Sequence, residues 1–199
     1  MTVTLARTRR SVVVALVAGA VLVAGLAFWR ASGDDATAPY DDPESAGLLT
    51  LCAADGTPVT GGRVDERPFV DVVLGETGLP PAYDARGAVA TLFAYQPREG
   101  VAASEFSGSP LTAAAVLADA TKPGAVVTED AWSLGDFTTA FPADWDGYVQ
   151  LRLYLGTPDA GTLTDQPYDT ADLRVDGDRW ELVRGGGASC ADAESVTVP

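Results

Sequence analysis

The side chains able to do chemistry in this 199-residue chain are almost all carboxylates: twenty-eight Asp and Glu stand against thirteen Lys and Arg, with no His and two Cys. Without an imidazole the commonest general base is missing. Ser-His-Asp and Cys-His catalysis are excluded by residue type, together with most zinc and copper sites. An enzyme here would have to use carboxylates, tyrosine or the lone Lys122. Two aspartate pairs, Asp144/Asp146 and Asp176/Asp178, have the i, i+2 spacing of calcium ligands on a loop, but neither sits in a twelve-residue pattern ending in Glu. Solvated turn acids and cross-strand pairing account for them more simply. Carboxylate pairs for glycoside hydrolysis can be drawn from any two of twenty-eight acids, so their presence decides nothing. No cofactor is expected.

Two other groups of residues carry expectations. Cys52 and Cys190 lie near the two ends of the region that reads as folded, and a lone pair in an oxidising space bonds. In the chain-entropy model a loop of that length is stabilising by about 4–5 kcal/mol. No C-x-x-C pair supports a redox thiol. The second group is Tyr148, Gln150, Arg152 and Tyr154, on one face of the clearest strand, with Trp145 just before it. Tyr, Trp and Arg dominate binding hot spots, so Trp145, Tyr148, Arg152 and Tyr154 form the candidate interface, the alternative being that a neighbouring segment covers this face. An exposed face of this kind would tolerate alanine without loss of stability.

These residues are positioned by short strands. Leu48 to Ala53 opens the fold, with Cys52 on the face away from Leu49 and Leu51. Residues 68–74 alternate Val70, Val72 and Leu74 against Phe69, Asp71 and Val73, predicting a half-buried strand with Asp71 in water. Residues 88–96, AVATLFAYQ, form a strand apolar on both faces. Over 109–119 a helix start at Ser109-Pro110 competes with a hairpin through Lys122-Pro123-Gly124 into AVVT, and the hairpin is favoured. Ser133 to Asp136 offers a capping pattern for a short helix ending at Phe141-Pro142. Residues 148–155 alternate Val149, Leu151, Leu153 and Leu155 inward. In the last hairpin a Gly177-Asp178 turn pairs Asp176/Arg179, Val175/Trp180, Arg174/Glu181 and Leu173/Leu182, whereas an Asp176-Gly177 turn would set Arg174 against Arg179. The first register is expected. Seven to nine short strands between Gly/Pro turns predict an all-β fold, an antiparallel β-sandwich with an immunoglobulin-like default. Asp144-Trp-Asp-Gly-Tyr148 resembles the tyrosine corner of such folds, with Gln150 where the corner has a buried residue.

At the N-terminal side, residues 11–29 contain no charged side chain and would span ~28 Å as a helix, close to the ~30 Å hydrocarbon core of a bilayer. Arg7, Arg9 and Arg10 precede this run and acids follow it, so a single-pass anchor with a cytoplasmic N-terminus is expected. A cleaved signal peptide with Ala31-Ser32-Gly33 at its site is the rival; Thr8-Arg9-Arg10-Ser11 is a weak twin-arginine pattern. Ala15/Gly19 and Ala20/Ala24 are small-xxx-small pairs, which leave the oligomeric state open. Residues 31–199 carry nine basic and twenty-eight acidic side chains, a formal charge of −19, which repels nucleic acid. The expected layout is a cytoplasmic 1–10, a transmembrane 11–29, an acidic flexible linker 30–46, an extracytoplasmic domain 47–190 and a flexible tail 191–199. Absence of Asn and Ile with heavy Ala, Gly, Val, Asp and Arg is a coding bias of GC-rich genomes. In composition and layout, not in any motif, the chain resembles membrane-anchored ectodomain proteins of high-GC Gram-positive bacteria. The expected role is non-enzymatic binding of an envelope protein or wall component; the alternative is a calcium-dependent module or carboxylate hydrolase at the cell surface.

Overall fold

A computed structural model of the protein describes residues 37–196. The expected transmembrane run 11–29 lies outside the described residues, and among those no helix is long and apolar enough to cross a membrane. The strands in chain order are β1 (Ser45–Leu48), β2 (Thr50–Cys52), β3 (Gly61–Arg63), β4 (Val72–Leu74), β5 (Val89–Gln96), β6 (Ser107–Pro110), β7 (Ala115–Val116), β8 (Gly124–Val126), β9 (Tyr148–Thr157), β10 (Gly161–Thr162), β11 (Tyr168–Asp176) and β12 (Arg179–Arg184). One α-helix, α1 (Leu134–Ala140), stands among the described residues.

Nine strands make one sheet along the path β3-β12-β11-β9-β5-β6, with β1 beside β11, β10 beside β9 and β7 beside β5; β2-β4-β8 make a second. Pairing is antiparallel except where β1 runs parallel to β11. The two sheets give an antiparallel, sandwich-like all-β fold. Period-2 alternation assigns their faces. Val149, Leu151 and Leu153 of β9 point into the core, with Ala90, Leu92 and Ala94 of β5 and Ala171 and Leu173 of β11. Leu51, Val73 and Ala125 of the small sheet join the same core. Thus the apolar run of β5 is resolved: its alanines and Leu92 face inward, and Phe93 and Tyr95 face out.

The β11–β12 hairpin has the expected register, with Asp176 opposite Arg179, Val175 opposite Trp180, Arg174 opposite Glu181 and Leu173 opposite Leu182. Gly177 holds φ 58°, which the first position of a type II′ turn requires and a side chain resists. Helix α1 starts on a reciprocal capping box between Ser133 and Asp136 and buries Leu134 and Phe137.

Three expectations are corrected. The strand of 68–74 is confined to β4 and is buried on both sides, because Val72 and Leu74 pack with Cys52, Cys190, Ala193 and Val196 in a second cluster. Asp71 is half-buried, and its carboxylate accepts a hydrogen bond from Ala54 N at 2.8 Å. The tail is likewise not free after 190: Cys190–Ser195 forms a 3₁₀ turn, and it is this turn that covers the outer face of the small sheet. Finally, β6 and β7 are extended, as favoured, but both pair with β5, and the following β8 crosses to the other sheet instead of closing a hairpin. Gly124 permits that crossing: a Cβ there would lie 2.6 Å from Val196 and 2.8 Å from Val73 O.

Candidate functional site

The outward face of β9 is polar and aromatic, yet it is buried. Tyr148 is 7% exposed, Gln150 0%, Arg152 2% and Tyr154 4%. Beside them on β11 stand Tyr168, Thr170 and Asp172, at 5%, 0% and 0%. Two irregular segments roof this face: residues 37–44, which precede β1, and the stretch around Ala103 and Phe106, which follows β5. The spacer expected over 30–46 is therefore docked from Thr37 onward, since its Tyr and Asp find partners that a count of apolar residues does not foresee.

Tyr40 is the centre of the roof. Its ring meets Phe106 edge-on at 5.4 Å and Tyr148 at 6.2 Å, and lies tilted on Trp145 at 5.6 Å. Its hydroxyl donates to Asp172 Oδ1 at 2.6 Å. Two residues on, Asp42 accepts from the Tyr168 hydroxyl at 3.1 and 3.2 Å and lies 3.5 Å from Arg152 Nη2, with its carboxylate fully covered. Backbone contacts seal the run: Tyr148 Oη donates to Thr37 O at 3.4 Å, and Ser45 N to Asp42 O at 3.2 Å across the turn at Pro43 and Glu44. The Tyr148 hydroxyl thus reaches the N-terminal segment, not a carbonyl a few residues upstream, and no tyrosine corner forms.

Beneath the roof a network links the buried Arg152 and the partly exposed Arg184 to two covered carboxylates. Arg152 donates to Gln150 Oε1 at 2.7 Å and to Ala103 O at 2.8 Å, and its guanidinium lies 4.1 Å from the Tyr95 ring centre and 4.7 Å from that of Tyr168. Gln150 donates to Asp172 Oδ1 at 3.3 Å. Arg184 donates to Asp172 Oδ2 at 2.6 Å and to Thr170 Oγ1 at 3.1 Å. A cation against aromatic faces in low dielectric is held by both charge and quadrupole. The geometry suits recognition of a short irregular segment that carries a phenol and, two residues later, a carboxylate. Of the four expected interface residues, Tyr148, Arg152 and Tyr154 line this buried seat, and Trp145 sits half-buried at its rim.

Burial, reinforced by the Asp172 charge and hydrogen bond, raises the Tyr40 phenol far above its ordinary value. Burial also raises Tyr95, where Tyr154 adds to it, and Tyr168, where Asp42 adds to it against the opposing Arg152 charge. All three are protonated in the docked state. Because their folded values lie above the unfolded one, their contribution is complete below about pH 10 and is lost as pH rises beyond it. In an absorbance titration at 295 nm, Tyr40, Tyr95 and Tyr168 of the native chain should resist ionisation past the normal range, and guanidinium should bring these three back to about pH 10.

The aspartate pairs lie elsewhere. The two turns touch, through Val175 N to Gly147 O at 2.8 Å and Arg174 Nε to Asp146 O at 3.3 Å. Asp144, Asp146, Asp176 and Asp178 are exposed, and Asp178 pairs with Arg63 at 2.8 Å. Among the described residues no three acids or cysteines converge as a metal site. Cys52 and Cys190 are bonded to one another.

Tyr40, Asp42, Asp172 and Arg184 are the site residues that strand periodicity alone misses. A signal did exist: Tyr168, Thr170 and Asp172 form a polar alternation matching Gln150 and Arg152 on the neighbouring strand. Two polar faces in register need a polar cover. Comparison with family models, with curated proteins and with solved structures finds no match to this chain, so the site stands on its own geometry.

Proposed function

We propose that the protein is a non-enzymatic binding module, anchored in the cell membrane by residues 11–29 and facing the cell envelope, whose partner is an envelope protein or wall component. One observation carries the reading: the outer face of β9 and β11 already holds a peptide, its own irregular residues 37–44, by an aromatic slot and a buried Arg152–Asp42 pair. Such a face is a receptor for segments of that chemistry. Support for the location comes from the uncharged run after Arg7, Arg9 and Arg10, from the bonded cysteines, and from the excess of acids beyond Arg30. Two largely antiparallel sheets that share one core support an immunoglobulin-like topology as the finer description of the fold.

A membrane-impermeant carbodiimide, which joins carboxylates to amines, suits an acid-rich domain. Applied to intact cells it should couple the full chain to an envelope component, and Tyr40→Ala, which empties half of the seat, should raise the yield several-fold. No adduct, or a yield indifferent to Tyr40, would overturn the reading.

A further inference from the structure

The groove is complete only because a segment from outside the covalently closed region fills it. Residues 37–44 precede Cys52, so they leave the groove without opening the loop closed by Cys190. With the segment seated, Arg152 and Arg184 are balanced by Asp172 and Asp42. Once it is withdrawn, Arg152 stays walled in by Tyr95 and Tyr168 with no facing carboxylate, and Asp172 loses the Tyr40 hydroxyl. A guanidinium between aromatic faces without its carboxylate, and a carboxylate without its phenol, select an occupant that supplies both. That occupant must offer a phenol to Asp172 and a carboxylate two residues later to Tyr168 and Arg152.

Tyr40-Asp41-Asp42 is the only Tyr-x-Asp in the 199 residues. Every copy of the chain therefore carries one seat and one matching key. The hinge is also present: the turn over 42–45 is closed by the Ser45 N to Asp42 O bond, with Pro43 inside it. Proline's fixed φ near −65° suits both a turn and an extended run, and with Glu44 O held by Tyr168 N at 3.1 Å the opening falls at Pro43. β1 remains in place on β11 meanwhile, through its Ser45, Gly47 and Leu48 pairing.

We propose that the segment is exchanged: Tyr40 and Asp42 of one copy fill the groove of a second, and the second returns its own, giving a two-fold dimer whose two grooves are each completed by the partner copy. The contacts at the groove are the same whether the key is the chain's own or a neighbour's. The balance is then set by the hinge and by effective concentration, the condition in which exchange of an identical element produces dimers at low cost. This inference rests on the reading of the β9–β11 face as a peptide seat.

The test co-expresses two full chains carrying different affinity tags, one of them with Tyr40→p-benzoylphenylalanine. Its ring would sit among Phe106, Trp145 and Tyr148. Ultraviolet irradiation should yield a species of twice the chain mass bearing both tags, with the adduct mapped to Phe106 or Trp145 of the other copy. The same probe in place of Ala38, two residues before the ring that fills the aromatic slot, guards against a misfit of the larger ring. Adducts confined to one chain with both probes would overturn the exchange. The seat itself is read separately, with a fluorescent peptide of residues 37–48 added to a Tyr40→Ala/Asp42→Asn chain. Peptide binding together with purely internal adducts leaves the seat standing and sinks the exchange; no peptide binding sinks both.

Discussion

Replacing Arg152 by Met should lower the thermal midpoint of the full chain by about 6–20 °C. The side chain is 2% exposed and donates to Gln150 Oε1 and Ala103 O while facing Asp42. Methionine fills much of the volume and supplies none of the donors. Breaking a buried pair by removing one partner typically costs ~3–5 kcal/mol, because the other charge is left without compensation. A domain of this size loses about 2–4 °C per kcal/mol. Arg152→Lys separates charge from shape: the cation remains, but the planar fork that reaches Gln150 and Ala103 at once is lost, so an intermediate midpoint is expected. Circular-dichroism melts of the three chains decide the matter. A wild-type midpoint for the Met variant would mean that the guanidinium is solvated and the face open.

Loss of the disulfide is the second large effect expected. Cys52 and Cys190 are 138 residues apart, and in the chain-entropy model such a closure is worth about 4–5 kcal/mol. Cys52→Ser/Cys190→Ser should therefore unfold at a clearly lower guanidinium concentration, with a steeper slope because the unbridged unfolded chain exposes more surface. Part of the loss is local. The bridge holds the 3₁₀ turn at 190–195 over Val72 and Leu74, and a detached turn would expose both. Protease should then cut near residue 190 before the domain unfolds globally. Equal midpoints with and without the bridge, or a rise in the intact mass of the wild type on alkylation without reduction, would contradict this.

The strands and much of their register were legible because they depend on neighbours close in sequence. Gly177 admits a positive φ, and the two opposite-charge pairs across it admit one register, so the last hairpin needed no knowledge of the rest of the chain. The inner face of β9 followed from alternation alone. The roof over its outer face did not. Tyr40 and Asp42 sit in an acidic run whose composition reads as unfolded, and their partners Asp172 and Tyr168 lie 132 and 126 residues away. A polar pair at such a distance leaves no periodic trace. The course of β8 was hidden for a related reason, since the two-sided burial of β4 beside it depends on residues 190–196.

The placement of the clasp also decides how the domain would carry load. Tension entering at residue 37 and leaving beyond Cys190 meets only fifteen residues before it reaches Cys52, a contour of roughly 50 Å at ~3.3–3.6 Å per residue. From there it crosses the bridge directly, where the two Cα atoms are 5.6 Å apart. Residues 53–189 lie on a slack branch. Pulling would strip Tyr40, β1 and the start of β2 from their sheets and then stop at the bridge, leaving β3 to β12 shielded, so the domain behaves as a short release spring in series with a rigid link.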